Sequence, residues 1–263
     1  MKKYLYAALH KSMLRQVVKC VRQRSSTCYN GFCTSCVPPH LSEELIRKQF
    51  FENKNKMKLL QDFQVVNSKI KMKPKETTAS VLMPLCIVDN QISLLYTICS
   101  SNLPTQKGQV CFPGGMVSSV DSSLLDAALR ETEEELGINM RDVSVWGFSA
   151  DYPEQLLRYN VRAYLGYLGM VDFNTLNINK TEVNEVFALP IQHLMNAKNQ
   201  RYTIYRFGIK MPVLLNSHKN IWGLTAVFTD ALLTAAFPHH HDKIFQQFDV
   251  EAFLNASHSF FIH

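Results

Sequence analysis

The stretch FPGGMVSSVDSSLLDAALRETEEELGI, residues 112–138, places a dense run of acidic residues directly behind a Pro-Gly-Gly turn. Its apolar residues recur with a period near 3.6, which predicts an amphipathic helix from about Ser122 to Gly137. Glycine at position 137 suits the left-handed conformation that ends many helices. The sequence therefore predicts a tight turn that leads straight into a charged helix.

The predicted helix carries two kinds of side chain. At about 100° per residue, Glu131, Glu134 and Glu135 share one face. The adjoining face consists of Leu125, Leu129, Thr132 and Leu136. Like charges at this spacing destabilise an isolated helix, so the carboxylates need either solvent or a counter-cation. Arg130 is spaced to pair with Glu134 at i+4 and with Asp126 at i−4, which would brace the cluster.

The net charge of +6 over 263 residues is unevenly distributed. Residues 1–42 contain seven Lys and Arg and no acidic residue, whereas the remainder has 21 basic against 22 acidic residues. The near-neutral body disfavours a nucleic-acid partner. A basic, Ser-containing, acid-free N-terminus is typical of a mitochondrial transit peptide, with a disordered basic tail as the alternative. We therefore predict that residues 1–42 direct the protein to the mitochondrial matrix.

The rest of the chain is predicted to hold one folded domain. A helix is predicted over residues 42–60, with Ser42 as its cap; the helix after Ser42 and a polar, Lys-rich linker make up residues 43–78, and residues 79–263 form the domain. No apolar run reaches the ~18 residues of a membrane span. The CTSC motif at 33–36 lacks the further ligand pair that a zinc site needs, and the histidines at 239–241 follow Pro238 in a predicted loop. We assign neither motif a metal.

Strand patterns dominate the predicted domain. Apolar runs at residues 79–88 and 92–99 flank a turn at Asp89 and Asn90, which predicts a hairpin, and residues 100–111 read as a polar loop. The other predicted elements are strands at 143–151 and 160–169, a strand and short helix over 184–195, a hairpin-like segment at 201–216 and a buried helix at 221–237. This order predicts an α+β fold, an α/β/α sandwich around a mixed β-sheet.

The acidic helix resembles the signature box of the Nudix hydrolases. The matching residues are Arg130, Glu131, Glu134, Glu135 and Gly137, with Gly114 and Gly115 ahead of them. Asp121 stands where the general box has Glu, and eight residues rather than seven separate it from the arginine. Both departures resemble the coenzyme A diphosphatase branch of the family. The flanking sequence resembles that branch over residues 79–233.

The resemblance implies a metal-dependent diphosphate hydrolase that uses Mg²⁺ or Mn²⁺. Glu131 and Glu135 would be principal metal ligands, Glu134 a further ligand or the base that activates water, and Arg130 the second catalytic residue as their brace. Hard cations of this kind prefer carboxylate oxygens. The implied substrate-binding residues are Gly114, Gly115 and Lys107. Glu182 and Glu185 are candidates for one more ligand or base, with a surface ion pair as the alternative for each.

The branch implies a substrate, coenzyme A or acyl-coenzyme A, cut to (acyl-)phosphopantetheine and adenosine 3′,5′-bisphosphate. This chain has Cys99, Pro104 and Gln106 where the branch has two arginines and a histidine. Other cations would have to replace them, and the candidates are Lys107, Arg158 and Arg162. The alternatives are another nucleoside diphosphate derivative, such as a nicotinamide dinucleotide, ADP-ribose or capped RNA, and a non-catalytic nucleotide-binding module of the same fold.

Overall fold

The computed structural model of the chain describes residues 41–65, 77–103, 106–154, 159–204 and 210–238. Several sequence predictions fall outside these ranges: the proposed transit peptide up to residue 40, most of the linker, Pro104, Arg158 and the histidines at 239–241. They stay predictions.

The hairpin predicted from the sequence is present. Strands β1 (Thr77–Val88) and β2 (Gln91–Cys99) pair antiparallel, with Val88 opposite Gln91. Asp89 and Asn90 between them both have positive φ angles, 48° and 60°. These two residue types tolerate the left-handed region that such a two-residue turn requires.

The hairpin strands lie within a mixed sheet. The further strands are β3 (Val110–Cys111), β4 (Gly114–Met116), β5 (Ser144–Phe148), β6 (Tyr152–Glu154), β7 (Tyr159–Met170) and β8 (Val183–Pro190), with β9 (Gln200–Ile204) and β10 (Lys210–Leu214) forming a separate hairpin. Strand order along the main path of the sheet is β3-β2-β1-β7-β5, and β4, β6 and β8 pair with β1, β7 and β2 respectively. The β1–β7 pair is parallel and the other pairs are antiparallel.

The segment 110–116 lies between β1 and β2 where these strands diverge. Near the turn the two strands pair with each other, but farther along β1 pairs with β4 at Ala79–Val81 and β2 pairs with β3 at Thr97 and Ile98. The carbonyl of Pro113 also accepts a 2.9 Å hydrogen bond from the Leu82 N–H. The loop predicted over 100–111 therefore ends in a strand too short to leave a periodic signal. The arrangement holds the Pro-Gly-Gly turn inside the sheet.

Residues 43–65 form two helices, α1 (Glu43–Phe51) and α2 (Asn53–Val65), so the single helix predicted over 42–60 is wrong. Ser42 caps α1 by accepting a 3.2 Å hydrogen bond from the Leu45 N–H, as its position predicts. The break falls at Glu52, whose backbone is extended, and the Lys48 carbonyl at the end of α1 accepts hydrogen bonds from both the Glu52 N–H and the Asn55 side chain. Polar residues such as Asn compete for backbone hydrogen bonds, which favours helix ends over helix interiors.

The sheet separates two helical layers. On one side α1, α2 and α5 (Gly223–Ala236) pack against alternate strand residues such as Met83, Leu85 and Leu165. On the other side α3 (Leu124–Leu136) packs against Leu82 and Tyr164. Helix α4 (Ile191–Met195) follows β8, as predicted. Because successive side chains of a strand point to opposite faces, the sheet has a hydrophobic core on each side. The predicted α/β/α sandwich is confirmed.

Helix α5 is buried against the sheet, as its apolar density predicts. Ten of its residues are buried, and the Thr229 hydroxyl lies 3.1 Å from the Tyr96 hydroxyl of β2. Among the described helices, none has the length and apolarity to cross a bilayer.

Candidate active site

Helix α3 has the ends that its sequence predicts. The hydroxyl of Ser123 accepts a 3.1 Å hydrogen bond from the Asp126 N–H, and Gly137 ends the helix at φ 69°. The Asp126 carboxylate accepts a hydrogen bond from the Ser122 hydroxyl. This local contact occupies Asp126 at the first turn, so the predicted pair with Arg130 is wrong.

Arg130 instead joins three other carboxylates. Its guanidinium binds both carboxylate oxygens of Asp121, through Nε at 2.8 Å and Nη2 at 3.1 Å. It also lies 2.9 Å from Glu131 and 3.0 Å from Glu134. The hydrogen bond from Arg130 holds the pKa of Asp121 well below its ordinary value. Arg130 therefore braces the helix against the loop that precedes it.

Glu131 and Glu135 face the sheet, where they form a cluster with Glu182. One carboxylate oxygen from each residue lies within 4.8 Å of the other two, and all three side chains are half-buried. The cluster depends on the sheet, because the Ser100 N–H binds the Glu182 carbonyl at 2.7 Å next to the β2–β8 pair. The sequence alone does not show that Glu182, rather than another carboxylate, joins this cluster, because Glu182 lies 47 residues beyond Glu135.

Burial governs the protonation of the two α3 members of this cluster, Glu131 and Glu135. It raises the pKa of Glu131. It raises the pKa of Glu135 to about 8, even though a hydrogen bond from the Gly114 N–H acts in the opposite direction. The charges of Glu131 and Glu182 contribute to the same rise. An ionised cluster is therefore short of positive charge, which a cation would supply.

Glu134 lies apart from these three carboxylates. Its side chain is 53% exposed and its carboxylate binds Arg130. At about 100° per residue, Glu135 lies roughly 40° to one side of Glu131 and Glu134 roughly 60° to the other. The sheet covers the arc between Glu131 and Glu135. The predicted anionic face is therefore divided between a half-buried pair and an exposed third member.

The two glycines of the turn allow close approach. A Cβ on Gly114, at φ 146°, would lie 2.4 Å from the Ser80 carbonyl oxygen. A Cβ on Gly115 would lie 2.7 Å from the carboxylate carbon of Glu131. Gly115 is thus required beside the acidic cluster.

A cavity of about 300 Å³ opens beside the cluster. Its polar wall includes all three clustered glutamates, both glycines and Gln106, and α5 supplies an apolar wall with Leu224 and Phe228. Two cysteines, Cys99 and Cys111, share the wall with Glu135, and their sulfur atoms are 3.0 Å apart. The hydrogen bond with Cys111 lowers the pKa of Cys99 despite burial, and raises the pKa of Cys111 together with burial.

Comparison with known proteins identifies the family. The sequence model of the NUDIX domain matches residues 78–207. The Homo sapiens protein named mitochondrial coenzyme A diphosphatase NUDT8 is 40% identical over 174 residues, covering 64% of this chain and 73% of its own. The chain belongs to the Nudix family. As a Nudix diphosphatase it is a hydrolase that acts on acid anhydrides.

Further relatives come from sequence and structure. NUDT8 of Mus musculus, also named mitochondrial coenzyme A diphosphatase, is 36% identical over 173 residues, covering 64% of this chain and 82% of its own. A solved MutT/nudix family protein from Enterococcus faecalis is 16% identical, covers 78% of this chain and 79% of its own, and has a TM-score of 0.44.

The cations near this Nudix site differ from those expected. Lys107 is exposed and is not part of the cavity wall, and Arg162 binds Asp151 at 2.7 and 3.1 Å. Lys219, which the sequence analysis missed, places its ammonium 3.0 Å from where a Cβ on Gly108 would lie, and its charge lowers the pKa of Cys99. No sequence signal marks Lys219, because it comes from a loop after β10.

The loop that carries Lys219 is held by hydrogen bonds. The Asn216 side-chain oxygen accepts from the backbone N–H groups of His218 and Lys219, at 2.8 and 3.0 Å. His218 in turn lies 2.8 Å from Glu185. Glu185 thus makes a surface contact, which was the alternative to its role as a ligand. Glu182, in contrast, belongs to the acidic cluster.

Proposed function

We propose that this Nudix enzyme hydrolyses the diphosphate bond of coenzyme A or acyl-coenzyme A. The products are (acyl-)phosphopantetheine and adenosine 3′,5′-bisphosphate. The observation that carries the proposal is the half-buried cluster of Glu131, Glu135 and Glu182 beside the Gly114-Gly115 turn. The activity for which the human and mouse relatives are named supports this choice of substrate.

The cluster fits a divalent cation such as Mg²⁺ or Mn²⁺. It offers three carboxylate oxygens, the donors that these hard ions prefer, within 4.8 Å of one another. The bare backbone at Gly115 leaves space beside Glu131 that a Cβ would fill. We propose Glu131 and Glu135 as principal ligands and Glu182 as the third. When bound, the cation would offset the charge on the diphosphate oxygens and activate water for attack at phosphorus.

The remaining residues of the box position these groups. Arg130 fixes one oxygen of Glu131 and ties the helix to Asp121. The Gly114 N–H orients Glu135 through a hydrogen bond. We propose that Glu134, held by Arg130 outside the cluster, accepts the proton of the attacking water, with a role as a further ligand as the alternative. The Gly114-Gly115 backbone is the proposed contact for the diphosphate, with Lys107 as a more distant substrate contact.

In this chain, the positive charge that faces the substrate comes from a different part of the fold than in the coenzyme A diphosphatase branch. Cys99 and Gln106 line the cavity at positions where that branch has an arginine and a histidine. We propose that Lys219, beside Cys99, supplies the missing charge. A cavity of about 300 Å³ is at the small end for a ligand site, so the nucleoside and pantetheine arms would extend past its mouth.

A substrate panel tests the proposal. The full-length protein is incubated with Mg²⁺ or Mn²⁺ and coenzyme A, acetyl-coenzyme A, ADP-ribose, reduced nicotinamide dinucleotide or capped RNA, beside Glu135→Gln. We expect adenosine 3′,5′-bisphosphate from both coenzyme A substrates and at least a hundredfold less from the variant. Intact coenzyme A alongside cleaved ADP-ribose or dinucleotide would reject the proposed substrate. Binding of a nucleotide without cleavage of any panel member would favour the non-catalytic alternative.

We also propose mitochondrial import through residues 1–42, ahead of the helical segment of residues 43–78 and a catalytic domain over 79–263. The basic, acid-free composition of the first segment and the mitochondrial names of the two relatives support this. A fluorescent reporter carrying residues 1–42 should enter the matrix, and one in which the seven Lys and Arg are changed to Gln should not. Cytosolic retention of the first reporter would reject the localisation.

A further inference from the structure

Two thiols meet in the wall of the active-site cavity. Cys99 ends β2 and Cys111 ends β3, and the register of these antiparallel strands places Thr97 opposite Cys111. Cys99 is therefore the diagonal neighbour of Cys111 on the same face of the sheet. A 2.9 Å hydrogen bond from the Cys99 N–H to the Gln109 carbonyl fixes this register. The pairing of two thiols is thus set by the backbone.

The distance between the two sulfur atoms is short. At 3.0 Å, they need to approach by only about 1 Å to reach the length of a disulfide bond, 2.03–2.05 Å. Both cysteines are free thiols and both line the cavity, so a small oxidant in the cavity can reach them. The site therefore has the proximity and the access that disulfide formation requires.

A third cysteine of the described residues lacks both features. Cys86 is buried in the core beneath α3, and its thiol donates a 3.6 Å hydrogen bond to the Ser93 carbonyl. It does not line the cavity. Cys86 therefore serves as an internal control for reactivity.

We propose that Cys99 and Cys111 form a reversible disulfide on reaction with a peroxide, and that its formation slows the hydrolase. The Cys99 thiolate attacks one peroxide oxygen, which gives a sulfenic acid and, with a proton, releases the other oxygen as water or an alcohol. The Cys111 sulfur then displaces the sulfenic oxygen, which leaves as water with the Cys111 proton. The sulfur pair loses two electrons, which reduce the peroxide. A dithiol returns both cysteines to thiols by exchange.

The effect on rate follows from the position of Cys111. It lies three residues before Gly114, whose N–H holds Glu135, and four before Gly115, which contacts Glu131. Drawing Cys111 toward Cys99 moves β3 relative to β2 and shifts this backbone against the acidic cluster. The change in rate rests on the proposed function, whereas formation of the disulfide does not.

Peptide mapping detects the bond without any substrate. The full-length protein is treated with hydrogen peroxide, its remaining thiols are blocked, and it is digested with trypsin. Cleavage after Lys75, Lys107 and Arg130 separates Cys99, in residues 76–107, from Cys111, in residues 108–130. We expect these two peptides to be cross-linked, and the cross-link to persist in Cys86→Ala, which removes the other thiol of the first peptide. Absence of the cross-link would overturn the proposal, whatever the substrate is.

Activity is then measured on whichever panel substrate the enzyme cleaves. We expect peroxide to lower the rate at least fivefold and dithiothreitol to restore it. In Cys99→Ser and Cys111→Ser, each compared with its own untreated rate, peroxide should have less than a twofold effect, while Cys86→Ala should respond like the wild type. A cross-linked enzyme with an unchanged rate would overturn the claim that the bond slows hydrolysis.

Discussion

The distinction between Glu182 and Glu134 is decisive for the metal site. Glu182 lies within the carboxylate cluster, whereas Glu134 is exposed and bound to Arg130. We expect Glu182→Gln to weaken Mn²⁺ binding at least tenfold, about 1.4 kcal/mol, because it removes one of three anionic donors. Glu134→Gln should change Mn²⁺ affinity less than threefold while lowering kcat. Calorimetric titration with Mn²⁺ measures the affinities. Equal losses in the two variants would place Glu134 among the ligands and contradict the assignment.

Substitution of Lys219 tests whether this lysine replaces the positive charge that the coenzyme A diphosphatase branch has at positions 99 and 104. A charge-assisted phosphate contact contributes about 1.5 to 3 kcal/mol, so Lys219→Gln should raise the KM for coenzyme A by about tenfold or more. Because Lys219 acts on Cys99 and is not one of the groups that hold Glu131 and Glu135, which are Arg130 and the Gly114 N–H, kcat should stay within about threefold. Lys54→Gln, which removes an exposed charge on α2 outside the cavity wall, is the matched control. An unchanged KM in Lys219→Gln would exclude Lys219 from substrate binding.

At the scale of elements, the segment 110–116 and helix α3 act together. Gly115→Ala places a methyl group 2.7 Å from the Glu131 carboxylate, which must move because the backbone is held between β1 and β2. We expect at least tenfold weaker Mn²⁺ binding with the fold intact. Gly169→Ala is the control: its φ of 73° costs about 1 kcal/mol of stability, but a Cβ there meets no atom within 4 Å. If circular dichroism shows that Gly115→Ala unfolds, the double variant Gly115→Ala with Glu131→Ala, which removes the carboxylate that the methyl group would meet, should restore the fold. A double variant that stays unfolded would contradict the clash with Glu131.

The same two elements show how far sequence reasoning reaches. The ends of α3 were predictable, because Ser123 and Gly137 act through contacts within a few residues. The hairpin turn at Asp89 and Asn90 was predictable for the same reason. Segment 110–116 was not, because it pairs with strands that diverge only in the folded sheet. Local chemistry predicts element ends, and strand pairing over long distances sets their arrangement.

At the scale of the whole molecule, the site is assembled from segments far apart in the chain. Glu131 and Glu135 come from α3, Glu182 from the start of β8 and Lys219 from the loop after β10. The first two follow from helix periodicity. The other two depend on the antiparallel β2–β8 pair and on the path of the chain after the second hairpin. The reaction class was therefore predictable from the resemblance of one helix to the Nudix box, whereas the third carboxylate and the substrate-side cation required the folded chain.

The assembled cluster also predicts how metal binding depends on pH. The pKa of Glu135 is about 8 in the folded protein against an ordinary value of 4.5, so the folded state binds more protons than the unfolded state between these values. Without metal, stability should therefore fall as pH rises from about 4.5 to 8. A cation requires the ionised carboxylate, so its affinity should fall about tenfold for each pH unit below 8. Thermal denaturation at pH 6 and pH 8, with and without Mn²⁺, measures both effects. We expect a larger Mn²⁺-induced rise in Tm at pH 8, and little pH dependence of that rise in Glu135→Gln. An equal rise at both pH values in the wild type would mean that Glu135 is not the proton-linked ligand.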